Sequence, residues 1–217
     1  MSPTTPGADG LSASERAYAF IRERLFDGTY AGGMMLSEGE IAEAAAVSRT
    51  PVHEALLRCE FEGHVRLYAK RGALVLPVTV KEIQDVLTTR RLIETYAVEY
   101  ACESGHAGSQ LLAAVDRQAE LLTGGEDDKF SAADDDFHRG MVSATGNALL
   151  VKAYALAKSV PLRIPNRNMR TDPGRAAQVI EEHRAIAEAV AERDVAAARA
   201  AVATHLDHAM TSLLRAL

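Results

Sequence analysis

Apolar residues recur at helical spacing along most of the chain, and one short stretch alternates instead. Between Ser14 and Phe26 the positions Ala17, Phe20, Ile21 and Leu25 make a single stripe, stopped by Asp27-Gly28, which predicts a first helix. Ser37 with Glu40 three residues on reads as a capping box for a second helix, with Ile41, Ala44 and Ala45 on one face and a break at Val47-Ser48. Thr50-Pro51 supplies a cap and a first-turn proline for a third helix. Its buried stripe would be Val52, Ala55, Leu56 and Cys59, and Glu62-Gly63 would end it. The stretch HVRLYAKRGALVLPV then alternates, Val65, Leu67 and Ala69 followed by Ala73 and Val75 around Lys70-Arg71-Gly72, as a two-stranded hairpin does.

After Pro77 the pattern changes to long helices. Thr79 with Glu82 is a second capping box, Asp172-Pro173 a cap with a first-turn proline, and Asp194 a third helix start. The expected organisation is a disordered leader over residues 1–11, a small domain of three helices and a hairpin over 12–77, and an all-helical bundle over 78–217. The fold class is therefore mainly α.

Composition agrees with this picture and narrows the function. The 217 residues are 47% hydrophobic, with no Trp, five Phe and six Tyr, enough apolar material for a helical core. Two distant cysteines and no signal-peptide pattern point to a reducing, cytoplasmic setting. No apolar run reaches the roughly 18 residues that a bilayer span needs, so a membrane is not an expected partner. The net charge of −6 argues against nucleic acid when taken globally. Locally the sign reverses. From Ala45 to Leu76 five basic residues (Arg49, Arg58, Arg66, Lys70, Arg71) face three acids.

Two short helices joined by a tight turn and followed by a hairpin tipped with Lys-Arg-Gly form the pattern of a winged helix-turn-helix. In that arrangement the third helix enters the major groove. Arg49 and Thr50 would contact bases or phosphate, His53 lies one turn on, and Arg71 and Gly72 bring the wing to the neighbouring groove. On spacing alone, an ordinary small helical domain fits as well. The segment LSEGEIAEAAAVSRTPVHEALLRCEFEGHVRLYAKRGALV decides between them, because it resembles, without gaps, the N-terminal domain of GntR-superfamily bacterial transcription regulators, with VSRTPV as the specific core. Two positions depart from that family. Gly39 and His53 stand where it usually has arginines that contact DNA, and neither reproduces a bidentate guanidinium.

In the second half, Phe130, Asp134, Phe137, His138 and Met141 fall on one helical face, so Asp134 and His138 point inward together. Val179, Ile180, His183, Ile186, Ala187 and Val190 form the stripe of another helix, and Val202, His205, Leu206, Ala209 and Leu213 that of a third. A lone inward histidine is usually a hydrogen-bonded core residue. Three of them beside a buried Asp suit a divalent transition metal, with Zn, Ni, Fe and Mn not distinguished. His208 is a substitute for His205, and His106 is expected at the surface.

This region resembles the FCD ligand-binding domain of the FadR-like branch of the same superfamily, through RRLIE (Arg90 to Glu94), Asp134 with His138, TGN (Thr145 to Asn147), EHRAI (Glu182 to Ile186) and His205. The resemblance implies a metal held by Asp134, His138, His183 and His205, and a small organic acid bound on it with help from Arg90 or Arg163. For Arg90 a surface i, i+4 pair with Glu94 is the competing reading. The sequence as a whole thus points to a homodimeric regulator of a palindromic double-stranded operator, controlled by that acid; the resemblance implies a repressor as the commoner arrangement, and the sequence leaves the sign open. A metal-dependent enzyme acting on small organic acids is the alternative, although no inward Glu, Lys or Tyr stands out as a general base.

Overall fold

The computed structural model describes residues 11–105, 107–158 and 173–217. The expected leader, His106, Arg163 and Asp172 fall wholly or almost wholly outside these; of the leader only Leu11 is included, and it is exposed. The chain forms two compact units, Met1–Val78 and Thr79–Leu217.

In the first unit, α1 (Ala13–Phe26) begins at Ser12, whose side chain accepts from the Glu15 amide while Glu15 reaches back to the Ser12 amide. This capping box satisfies two donors that a helix start otherwise leaves open. β1 (Met35–Leu36) precedes α2 (Glu38–Ala44) and α3 (Arg49–Phe61), which lead into β2 (Val65–Tyr68) and β3 (Gly72–Val75). The antiparallel sheet has the order β1-β3-β2, with Leu36 opposite Ala73 and Tyr68 opposite Gly72. Ala17, Ile21 and Leu25 of α1 pack with Val52, Ala55, Leu56 and Cys59 of α3 and with Leu36, Val65, Ala73 and Val75 of the sheet.

Three local expectations need correction. Ser37 makes no side-chain cap bond, so the Ser37/Glu40 box is not formed. The α3 cap is Ser48, which leaves Thr50 inside the first turn, again without a side-chain bond at the cap. In α2 the residue buried beside Ile41 is Ala42, while Ala44 is exposed, because so short a helix touches the core along a single line.

The second unit is all helix: α4 (Val80–Ser104), α5 (Gly108–Thr123), α6 (Asp127–Ser143), α7 (Ala148–Lys158), α8 (Pro173–Ala191) and α9 (Val195–Arg215). Thr79 and Glu82 form the capping box at the start of α4, and the Asp194 carboxylate accepts from the Ala197 amide at the start of α9. The long α4 packs against α6, α7, α8 and α9, and α5 lies against α6 and α8. Its buried stripe runs from Ile83 to Cys102 and is apolar except at Arg90 and Glu94. Those two charges mark the polar centre of the unit.

Candidate metal centre and DNA-binding surface

His138 on α6, His183 on α8 and His205 on α9 meet in the core, each at most 3% exposed, with potential ligand nitrogens within 4.8 Å of one another. Helical periodicity places each ring inward, and the crossing of three helices brings the rings together, with centroids 4.8 to 4.9 Å apart. Phe137 stacks on His183 at 4.2 Å and walls off one side.

Each imidazole has an outer neighbour at Nδ1, a hydrogen-bond partner for His183 and His205 and a carboxylate at ion-pair distance for His138. His183 Nδ1 lies 2.9 Å from Gln118 Oε1, and the Gln118 amide donates to the Ala133 carbonyl at 3.1 Å. The Gln118 oxygen therefore faces the ring and accepts its proton, which leaves Nε2 as a lone pair. His205 Nδ1 donates to Glu182 Oε2 at 2.8 Å. His138 Nδ1 lies 3.1 Å from Glu94 Oε2, an ion-pair distance. Outer partners of this kind fix the tautomer and turn the second nitrogen toward a shared centre. His183 Nε2 is buried there with no hydrogen-bond partner among the described residues. An isolated polar nitrogen in such a place costs free energy unless something binds it.

Asp134 stands at the edge of this centre. Its Oδ1 is 3.7 Å from His183 Nε2 and 4.0 Å from His138 Nε2, while Lys158 Nζ lies 3.4 Å from Oδ2. Its side chain keeps 18% of its surface, so it is less enclosed than the histidines. Burial alone would raise its pKa, but Lys158 and the three imidazoles hold the carboxyl well below its usual range. Burial lowers the His138 pKa to about 4 against the pull of Glu94, and drives His183 well below the ordinary value. Both rings are thus neutral near pH 7, the form in which imidazole ligates metal.

Arg90 and Glu94 do form the i, i+4 pair, but not at the surface. The Nε to Oε1 distance is 2.6 Å and both side chains are enclosed. Arg90 also places Nη2 3.4 Å from His138 Nε2, beside the centre. His208 points elsewhere: it is 45% exposed and meets Glu182 Oε1 at 2.7 Å. Glu182 also takes Arg175 at 2.7 Å, and these bonds, with that from His205, overcome burial and lower its pKa to about 2.

Sequence reasoning missed the outer partners Gln118 and Glu182, together with Lys158 and Tyr154. EHRAI contains Glu182, and its position one residue before His183 was the available signal. Gln118, Tyr154 and Lys158 carry no such mark.

In the first unit, Arg49, Thr50 and His53 line the exposed face of α3, and Arg66, Lys70 and Arg71 are exposed on the hairpin. The first turn of α2 meets this face. His53 Nδ1 lies 2.8 Å from Glu38 Oε1, and a Cβ on Gly39 would sit 3.2 Å from the Arg49 guanidinium. Glycine at 39 therefore leaves room for Arg49. Gly72 has an internal reason as well: its φ is +101°, and a Cβ would lie 2.0 Å from the Leu36 carbonyl oxygen. Close approach of β1 demands a glycine there whatever the wing contacts.

The comparisons with known proteins bear on both units. Residues 13–75 match the model for bacterial regulatory proteins of the gntR family, and residues 85–208 match that of the FCD domain. A helix-turn-helix transcriptional regulator from an unstable DNA locus of Streptomyces ambofaciens is 30% identical, over 91% of this chain and 84% of that protein. The Uxu operon regulator of Haemophilus influenzae is 28% identical, over 89% and 79%. Among solved structures, a GntR transcriptional regulator from Rhodococcus sp. RHA1 superposes with a TM-score of 0.76 at 24% identity, covering 95% of this chain and all of that one, which shows the shared fold. The relatives are regulators rather than enzymes, and no helix among the described residues is long and apolar enough to cross a membrane. The chain belongs to the GntR family, as a DNA-binding transcription regulator with an FCD domain.

Proposed function

We propose that this regulator binds a divalent transition metal at His138, His183, His205 and Asp134, and that a small organic acid bound there controls operator affinity. The observation that carries this reading is the set of three buried imidazoles turned inward on Nε2, His183 and His205 hydrogen-bonded on Nδ1 and His138 Nδ1 3.1 Å from Glu94, with His183 Nε2 lacking a hydrogen-bond partner among the described residues. Three nitrogens and one carboxylate oxygen suit Zn, Ni, Fe or Mn and leave positions open for a ligand. When bound, such an ion supplies Lewis acidity toward a carboxylate. Arg90 orients that carboxylate from α4, and Phe137 excludes water on one side. Its partner Glu94 keeps the guanidinium fixed, so little ordering cost falls on the effector.

At the other end of the chain, α3 is the recognition helix, with Arg49, Thr50 and His53 toward the bases and phosphates and Arg71 on the wing. Effector binding shifts the population between states of unequal operator affinity. Leu92, Tyr96 and Tyr100, exposed at i, i+4 and i+8 along α4, support pairing with a second copy, which suits a palindromic operator.

Sequencing of the genomic fragments retained by the metal-loaded protein tests the reading. The expected result is an enriched palindrome, lost in Arg49→Ala. Equal retention by the two proteins would remove α3 from the DNA.

A further inference from the structure

The charges around the three histidines already cancel without any ion. Arg90 pairs with Glu94 at 2.6 Å, Lys158 with Asp134 at 3.4 Å and Arg175 with Glu182 at 2.7 Å. None of these six side chains keeps more than 18% of its surface. The three imidazoles would bind an ion as neutral ligands and so add no charge. A divalent cation at the histidines would therefore add two positive charges that no enclosed carboxylate among the described residues is left to neutralise. Asp134, the nearest acid, has Lys158 on its second oxygen. Asp135, the next acid along, is 39% exposed and shared between Lys158 and Arg139. Uncompensated charge in a dry core is costly and draws in counter-charge.

A second, independent observation lies on α7. Tyr154 is 3% exposed, and its hydroxyl has no hydrogen-bond partner among the described residues. Its ring sits 6.0 Å from the Arg90 guanidinium, and Arg90, Glu94 and Asp134 all act on it electrostatically. Buried phenols nearly always find a partner. This one is left open beside the groups that face the histidines, one helical turn before Lys158.

From charge balance and the open phenol we infer that the effector is a dianionic small acid, a dicarboxylate or an equivalent, and that Tyr154 donates a hydrogen bond to it. The inference rests on the proposed metal site and narrows its ligand. Two negative charges restore neutrality in the loaded core, whereas a monocarboxylate leaves one positive charge enclosed. The two donors come from different helices, Arg90 from α4 and Tyr154 from α7, 6.0 Å apart from guanidinium to ring, and so suit an acid with more than one acceptor group.

Calorimetric titration of the full-length, metal-loaded protein provides the test. Metal content is measured first, and the probes are matched in carbon number: succinate and malate against butyrate and 3-hydroxybutyrate, with inorganic phosphate as a compact dianion. The expected result is at least about tenfold tighter binding of the dicarboxylates, since one unbalanced enclosed charge is worth more than about 1.4 kcal/mol. Binding of phosphate as tight as that of succinate would keep the dianion and exclude the dicarboxylate geometry. Equal affinity for butyrate and succinate in a metal-loaded protein would overturn the inference while leaving the metal site standing. A protein that takes up no metal would instead overturn the site, and the inference with it. The Tyr154→Phe variant should keep its metal and weaken succinate at least about tenfold, the size of one hydrogen bond to a charged group. Unchanged affinity would remove Tyr154 from the effector site.

Discussion

The two units enclose polar groups to very different extents. The N-terminal unit has a largely apolar core of α1, α3 and the sheet, with His64 its one fully buried polar side chain among the described residues, and carries its arginines outside. The C-terminal unit builds Arg90, Glu94, His138, Glu182, His183 and His205 into its interior. One pair in each illustrates the difference. His53 and Glu38 meet at 2.8 Å with side chains 54% and 33% exposed, while Arg90 and Glu94 meet at 2.6 Å with 6% and 0%. Water competes for the first pair and not for the second, so similar distances carry different energies. A surface pair can be exchanged at little cost in stability, which fits His53 and Glu38 on the exposed side of α3 and α2. A buried set must stay complete, since each remaining partner would otherwise be enclosed and unpaired.

Substitution of a single partner in each unit breaks the comparison most sharply. Glu94→Ala leaves the Arg90 guanidinium enclosed and should destabilise the C-terminal unit by about 3–5 kcal/mol in urea unfolding. Glu38→Ala should leave stability unchanged within error. Equal losses from the two would mean that burial does not separate them.

Acid should separate the units next. His138 titrates at about 4 in the fold against about 6.5 unfolded, so its contribution is whole above about 6.5 and is lost as pH falls toward 4. Glu182, lowered to about 2, extends the loss from about 4.5 downward. In the N-terminal unit, burial and the hydrogen bond to Glu62 push Tyr18 up to about 12. The unfolded phenol ionises first, so that contribution is whole below about 10 and is lost as pH rises toward 12. Acid should therefore melt the C-terminal unit first, a contrast readable by hydrogen exchange, whereas alkali gives no such order, because burial also pushes Tyr154 of the C-terminal unit well above its ordinary value. An N-terminal unit that melts first in acid would contradict it.

Gly72→Ala should cost about 1–3 kcal/mol in the N-terminal unit, from a strained positive φ, with more added by the Leu36 carbonyl. His53→Arg is the mildest change. It should tighten DNA binding and steepen the salt dependence by about one unit of slope, without altering melting. An unchanged slope would place His53 away from the phosphates.

How much of this was legible in the sequence follows the same division. Helices with capping pairs at Thr79/Glu82 and Asp194 could be read locally, because capping acts over three residues. The Ser12/Glu15 box carries the same signal and forms both bonds. Ser37/Glu40 carried it too, without forming the bonds, since pattern does not fix side-chain rotamers. Strand β1 is two residues long and has no periodicity to find; only its pairing with β3 defines it. The inward histidines followed from helical spacing. Their outer partners Gln118 and Glu182, and the enclosure of Arg90 with Glu94, depend on which helices pack together, which no single-helix pattern encodes.

The central claim is that the polar core of the C-terminal unit is built for a divalent metal. Elemental analysis of the full-length protein after exposure to metal and removal of excess, run beside His183→Ala, tests it most directly. The account predicts one ion per chain in the parent and well under half of that in the variant. A parent chain that retains no ion, or a variant that retains the full complement, would contradict it.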